Sequence, residues 1–486
     1  MENKMTKFRW TICVLLFAAT TVNYLDRQVL SLTFPEFIQP EFHWTDAHYG
    51  MITGFFSIFY AVACLFAGKF VDWMGTKKGY LWAIFAWSLA ACLHAACGLA
   101  TCWFVDGIDS VAALRAVKAG SAAAAAVASV SVWLFLACRG FLALGEAGNF
   151  PAAIKVTAEF FPKKDRAFAT SVFNSGASVG ALVAPLTIPY LAKCFGWELA
   201  FIIIGGVGFI WMFFWQWLYT KPQQSKFVNE AELKYISQDD VAEQSSAVQA
   251  NAVKSDADEK PISFFKCFTY RQTWSFIVGK FFTDGVWWFY LFWAPAYFKE
   301  QGHAPSTPVG QALIFTLYLI VTVVSIYGCK LPTVLVNRGY KGGNPYMCRM
   351  TAMLLFAFFP LAALAAQPLS GISVWFPACL IGLAAAGHQA WSANIFSTVG
   401  DMFPKSTIAS ITGIGAMAGG LGSFLVNVYA GKLFTYAEGM GKAFSFAGFE
   451  GKPAAYLIVF CVCGVAYLVA WCLMKTLVPR YSPIKA

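Results

Sequence analysis

Twelve apolar stretches are each long enough to cross a bilayer as a helix. They lie near residues 10–34, 46–70, 80–101, 129–152, 167–192, 198–219, 272–298, 308–330, 345–366, 371–397, 406–432 and 454–477. With 58% hydrophobic and only 12% charged residues, the 486-residue chain has too little charge to cover a soluble surface of that size. The 18 Trp and 19 Tyr suit a protein that anchors rings at two bilayer interfaces. The expected fold class is an all-α polytopic membrane protein with twelve transmembrane helices.

Lys and Arg in the short loops set the orientation. One side carries Lys4, Lys7, Arg9, Lys77, Lys78, Lys163, Lys164, Arg166, Arg338, Lys341, Arg349, Lys405, Lys475, Arg480 and Lys485. The other carries Glu36, Glu41, Asp46, Asp106 and Asp109, with a few basic residues. Both termini are expected on the cytoplasmic side. The basic start has the outline of a signal peptide, but no small-residue cleavage site follows, so the first span reads as uncleaved. The net charge of +10 is spread over loops, with no basic block interleaved with aromatics, which argues against nucleic-acid binding. The 14 Cys show no ligand spacing and read as small packing residues, with no metal site and no cofactor expected.

The longest polar segment, 221–271, divides the chain into two sets of six spans. The expected domains are 1–220, a six-helix bundle; 221–271, a cytoplasmic linker; and 272–486, a second six-helix bundle. Within the linker, Asn229-Glu230-Ala231-Glu232 resembles a capping box opening a short helix. Ser245 to Glu259 reads as flexible, and Ser263 to Phe268 as an interfacial turn. The halves resemble each other. Phe161-Pro162-Lys163 recurs as Phe403-Pro404-Lys405, an offset of 242 residues, which also aligns Gly145-Glu146 with Gly387-His388 and Gly180 with Gly422. An offset near half the length signals a parallel duplication, with a site near midplane between pseudo-symmetric bundles.

Charges inside spans are costly and mark functional positions by default. Asp26 and Arg27 lie side by side in the first span. At about 3.6 residues per turn they point about 100° apart, so Tyr24 shares a face with Arg27, and Asn23 with Asp26. A guanidinium facing a cavity offers a carboxylate two parallel donors; the alternative is that the pair only staples helices. In the fourth span Arg139 and Glu146 are seven residues apart on one face. Burial and a nearby arginine act in opposite directions on a carboxyl's proton affinity, which suits Glu146 to taking and losing a proton; the alternative is that Arg139 and Glu146 are a structural pair holding the bundle. Lys280 and Asp284 in the seventh span form either an i,i+4 structural pair or a substrate contact, followed by Trp287, Trp288, Tyr290 and Trp293. The tenth span holds His388, Gln389, Ser392 and Asn394, a polar cluster suited to hydroxyls, and Asn174 and Ser175 in the fifth span add hydrogen-bonding groups. A lone histidine on an apolar helix also serves as a packing residue.

The segment Gly68-Lys69-Phe70-Val71-Asp72-Trp73-Met74-Gly75-Thr76-Lys77-Lys78 resembles the loop signature of the major facilitator superfamily. The resemblance implies a conformational latch at Gly68, Asp72, Gly75 and Lys77. Gly68 would permit close helix approach, and Asp72 would pair with a basic residue or a helix N-terminus. Asn23-Tyr24-Leu25-Asp26-Arg27-Gln28, the Arg139…Gly145-Glu146-Ala147 run, and His388 to Asn394 followed by Asp401-Met402-Phe403-Pro404 are similar to the anion:cation symporter family, and nearest in it to the hexuronate transporters. This resemblance covers nearly the whole chain.

It implies that Tyr24 and Arg27 contact the substrate carboxylate and that Asp26 and Glu146 handle protons, coupled by Arg139. The tenth-span cluster would read sugar hydroxyls. Three departures stand out: the stretch 102–127 has no assignment, Lys280 stands where some relatives carry Arg, and Gly180 to Pro185 lacks the Gly-Pro pairing of drug antiporters.

The expected function is proton-coupled symport of a hexuronate, glucuronate or galacturonate, into a bacterial cell. The chain would act as an inner-membrane monomer with small organic anions, protons and lipid as its partners. Another organic anion, such as an aldonate, a sialic acid or an aromatic carboxylate, is the alternative. An enzyme would need a metal cluster or a nucleophile–base set, and neither is visible. A sensor would need a signalling domain, and 221–271 is too short and polar to be one.

Overall fold

The computed structural model describes residues 5–238, 262–404 and 407–484, without the side chains of Lys163, Ala167 and Ala409. The stretch from Ser245 to Glu259, expected to be flexible, lies outside the described residues, as do Lys4, Lys405 and Lys485 of the basic loop set.

The first half begins with α1 (Phe8–Thr33), which runs on to Glu41 through a π-helical turn, and α2 (Asp46–Met74). The third span is α3 (Thr76–His94) with α4 (Cys97–Phe104), bent by 59°. After the short α5 (Val111–Arg115) come α6 (Ala122–Glu146) with α7 (Asn149–Phe160), then α8 (Lys163–Phe195) and α9 (Trp197–Leu218). A linker helix, α10 (Glu230–Ile236), follows. The second half has α11 (Arg271–Glu300), α12 (Pro308–Gly328) with α13 (Leu331–Asn337), and α14 (Pro345–Ala357) with short turns to Leu369. It ends with α15 (Trp375–Met402), α16 (Ile408–Met440) and α17 (Gly451–Leu477), the last two joined by a small hairpin of β1 (Ser445–Phe446) and β2 (Phe449–Glu450).

Each expected span is thus met by a helix or a bent pair. Nine described helices, ten with the bent pair, are long and apolar enough to cross a membrane on their own composition. The remaining two, α11 and α15, carry Lys280, Asp284, His388, Gln389 and Asn394, whose polarity lowers their mean hydropathy.

Local chemistry fixes the ends. Thr45 and His48 close a reciprocal capping box at the start of α2. Asn344 caps α14 ahead of Pro345, and Thr307 caps α12 ahead of Pro308. Gly75 at φ 78° ends α2 and starts α3, a conformation that costs glycine little.

The duplication is visible in packing. A Cβ on Gly145 would meet Trp87 N of α3 at 2.5 Å, and one on its counterpart Gly387 would meet Phe359 Cβ at 2.7 Å, just past α14. A Cβ on Gly180 would meet the Thr21 carbonyl of α1 at 2.7 Å, while one on Gly422 would overlap the Phe281 carbonyl of α11. In both halves the fourth span presses on the third and the fifth on the first, through glycines that let backbones touch.

The halves meet along α2 and α16. Asp46 pairs with Lys452 at 2.6 Å, Tyr49 OH donates to Phe292 O at 2.8 Å, and Ser57 and Ser423 share a 2.8 Å hydrogen bond. Gly50 and Gly431 cross in backbone contact. Beyond Leu65 the helices part: a Cβ on Gly68 would meet nothing within 4 Å, and Asp72 is exposed. The close approach expected at Gly68 is therefore absent, because α2 has already diverged from its partner there.

The unassigned stretch 102–127 holds α5, whose Arg115 bridges Glu41 at the end of α1 (3.1 Å) and Glu198 at the start of α9 (2.5 Å). It ties three elements together at the acidic end of the first bundle.

Candidate functional site

Arg27 lies six residues before the end of α1 at Thr33, deep in the molecule and only 4% exposed. Its Nε and Nη2 both donate to Glu146 Oε2, at 2.8 and 2.6 Å. Four rings surround the guanidinium: Tyr60 at 4.7 Å, Trp288 at 5.0 Å, Tyr24 at 5.1 Å and Phe56 at 5.8 Å from its carbon. Three belong to the first half, and Trp288 belongs to α11 of the second. A cation desolvated among ring faces gains about 2 kcal/mol at such a site.

The structure brings Tyr24 and Arg27 onto one face, as the helical spacing requires, but pairs the charges differently from the expectation. Glu146 binds Arg27 rather than Arg139. Seven residues separate Arg139 from Glu146 on α6, about 10.5 Å of rise, whereas α1 presents Arg27 directly at the C-terminal end of α6. Arg139 instead donates from Nη2 to the Arg27 carbonyl at 3.2 Å, and its carbon lies 5.2 Å from the Phe56 ring. Its Nε and Nη1 have no partner, nor do either oxygen of Asp26, either amide atom of Asn23, or Oε1 of Glu146. Buried polar atoms without partners carry a desolvation cost, and seven of them gather here.

On the second half, Lys280 and Asp284 form an i,i+4 pair at 2.7 Å, with Lys280 Nζ 4.3 Å from the Phe396 ring centre. His388 stacks on Trp287 (centroids 5.4 Å, 9° between planes) and its Nδ1 meets Tyr467 OH at 2.7 Å. Tyr467 OH in turn donates to Thr283 O at 3.1 Å. Adjacent residues of α11 thus face two clusters, Trp288 toward Arg27 and Trp287 toward His388.

The other expected site residues scatter. Asn394 donates to Ala390 O of its own helix at 2.8 Å and lines a separate cavity of about 270 Å³ with Arg349, Thr333 and Ser397. Gln389 and Ser392 are half-buried, and Asn174 is exposed on α8. Where α2 gives way to α3, Asp72 in the last turn of α2 pairs with Lys155 at 2.6 Å, and Lys77 in the first turn of α3 donates to Gln216 O at 2.9 Å. Sequence reasoning missed Tyr60, Phe56 and Tyr467. They sit in apolar runs where an aromatic residue carries no signal of its own.

Against known proteins, a family model described as Major Facilitator Superfamily matches residues 16–427. The chain belongs to the Major Facilitator Superfamily. It is a multi-pass membrane transporter of that superfamily and not an enzyme. Among curated relatives, the hexuronate transporter of Escherichia coli (strain K12) is 26% identical over 440 residues, covering 88% of each chain. The D-galactonate transporter of Escherichia coli O6:H1 is 26% identical over 442 residues, covering 90% of each. Among solved structures, a bacterial homolog of the human lysosomal transporter Spinster, inward-facing and occupied, aligns with a TM-score of 0.65 at 18% identity. The alignment covers 98% of this chain and 99% of that one, and shows the superfamily's fold.

Proposed function

We propose that this transporter carries a hexuronate, such as glucuronate or galacturonate, into a bacterial cell together with protons. The observation that carries the reading is the Arg27–Glu146 ion pair inside a ring cage drawn from both halves. A substrate carboxylate reaching Arg27 competes with Glu146 for the same two donors. A displaced Glu146 would be a buried carboxylate without its counter-charge, which is costly unless it takes a proton. Anion binding and protonation are thereby linked at one guanidinium. Asp26, with neither oxygen bonded, is the second proton carrier in this reading, and Arg139 holds the α1 backbone between them. Tyr24, Tyr60 and Trp288 offer ring faces to the apolar side of a sugar, and His388 with Lys280 supplies polar groups from the second half.

The proposed moving bodies are 1–220 and 272–486, joined by 221–271, with both termini in the cytoplasm, the chain acting as a monomer in the inner membrane, and Gly68 to Lys77 as the latch. The names of the hexuronate and galactonate transporters support a sugar acid. The second also keeps an aldonate as the alternative substrate.

The test is uptake of radiolabelled glucuronate into vesicles holding the purified protein, with and without an inward proton gradient. Gradient-stimulated uptake, competed by galacturonate but not by glucose, supports the reading. Accumulation of galactonate alone moves the substrate and keeps the mechanism, and uptake indifferent to the proton gradient removes proton coupling.

A further inference from the structure

The linker holds a carboxylate that neither the proposed site nor the latch uses. Glu232 of α10 is fully buried. Asn229 caps α10 as the sequence suggested, accepting from Glu232 N at 3.0 Å. The reciprocal half of that capping box does not form, because the Glu232 side chain leaves its own helix and binds the start of α1. Its Oε2 accepts from Thr6 Oγ1 at 2.6 Å and Phe8 N at 2.8 Å, and its Oε1 accepts from Arg9 N and Arg9 Nη1, both at 3.1 Å.

Helix α1 has no cap of its own. The residue before it, Lys7, has φ 60° and makes no side-chain cap bond. The first amides of a helix need acceptors and carry the positive end of its dipole, and here the linker supplies both the acceptor and the charge. The same linker segment reaches α8 and α9. Tyr235 lies 4.6 Å from the Arg9 guanidinium and donates to Asp165 Oδ2 of α8 at 2.8 Å, and Phe227 stacks on Phe8 at 5.0 Å and meets Trp217 of α9 edge-on. Farther along, α1 and α8 touch backbone to backbone at Gly176 and Gly180.

We propose that Glu232 is a positioning residue for transport. It locks α10 to the first turns of α1 and α8, so that α1 keeps the axial position that sets Arg27 against Glu146. Helix α1 is unbroken from Phe8 to Thr33. A shift of its first turn is therefore carried to Arg27, about 27 Å along the axis at 1.5 Å per residue. The inference rests on the sugar-acid reading only for its transport assay.

The experiment compares full-length wild type with Glu232→Ala and Glu232→Gln. It reads amide hydrogen exchange over residues 5–12 and 20–30, together with KM and maximal rate for glucuronate counterflow in proteoliposomes. Loss of the cap is expected to speed exchange at 5–12 by about fivefold in Glu232→Ala. KM should rise by about fivefold, the low end of a site-to-site coupling. Glu232→Gln should recover only part of both, since its one amide oxygen replaces one of two accepting carboxylate oxygens and its NH2 faces the donors of the other. Unchanged exchange at 5–12 overturns the clamp, and faster exchange with unchanged KM overturns its positioning role. If the wild type carries galactonate instead, KM is read with galactonate. If it carries no sugar acid, the substrate reading fails, and the proposal then stands or falls on whether exchange at 20–30 rises with that at 5–12.

Discussion

Glu146 accepts two hydrogen bonds from Arg27 on one oxygen, Oε2, and leaves Oε1 with no partner. A fork-to-fork pair would use both oxygens and hold the guanidinium more firmly. The one-sided pair leaves Oε1 open to a proton and leaves the arginine open to exchange one carboxylate for another.

Glu146→Gln keeps the size and an acceptor oxygen but cannot release a proton. Gradient-driven accumulation of glucuronate in vesicles should vanish while counterflow of pre-loaded substrate persists. Accumulation that still follows the proton gradient in this variant would remove Glu146 from the coupling.

Arg27→Lys tests the fork. A lysine keeps the charge but offers a point ammonium where Nε and Nη2 lie side by side. Loss of one charge-assisted bond, about 1.5–3 kcal/mol, corresponds to a KM increase of about tenfold or more in the same uptake assay. A KM within twofold of wild type would mean that the substrate carboxylate is bound elsewhere.

The pair between Asp46 and Lys452 joins the two halves, with Asp46 1% exposed. Removing one partner of a buried pair costs about 3–5 kcal/mol, here charged only to the conformation in which the halves touch. Asp46→Asn should therefore favour the state open at that end. Maleimide labelling of a cysteine placed at Ala47, whose amide bonds Thr435, should accelerate in the variant. Equal labelling rates would show that the pair does not hold this end closed.

Gly422→Leu places a side chain against the Phe281 carbonyl, with backbone rather than a movable side chain in the way. The variant should lose at least several degrees of Tm in detergent, in line with a core overpacking cost of about 1–3 kcal/mol or more. Gly68→Leu, in open space, should leave Tm unchanged. By contrast, Arg115→Ala should lower Tm little despite two ion pairs, because its side chain is 51% exposed and surface pairs contribute about 0–1 kcal/mol each.

The twelve spans, the duplication and the cost of Asp26, Arg27, Arg139 and Glu146 at membrane depth were all legible in the sequence. Apolar length and intramembrane charge are properties of a chain in lipid, whatever packs beside it. The face shared by Tyr24 and Arg27 was legible too, since helical periodicity alone fixes it. The pairing of those charges was not legible. Whether Glu146 meets Arg139 on its own helix or Arg27 on another depends on where α1 and α6 cross, and that is decided by contacts spread over the whole bundle. For the same reason Phe56, Tyr60 and Trp288 became a cage only once two halves of the chain were brought together. The capping box at Asn229 failed by half because α1 offered Glu232 a better-placed set of unbonded amides than its own helix did.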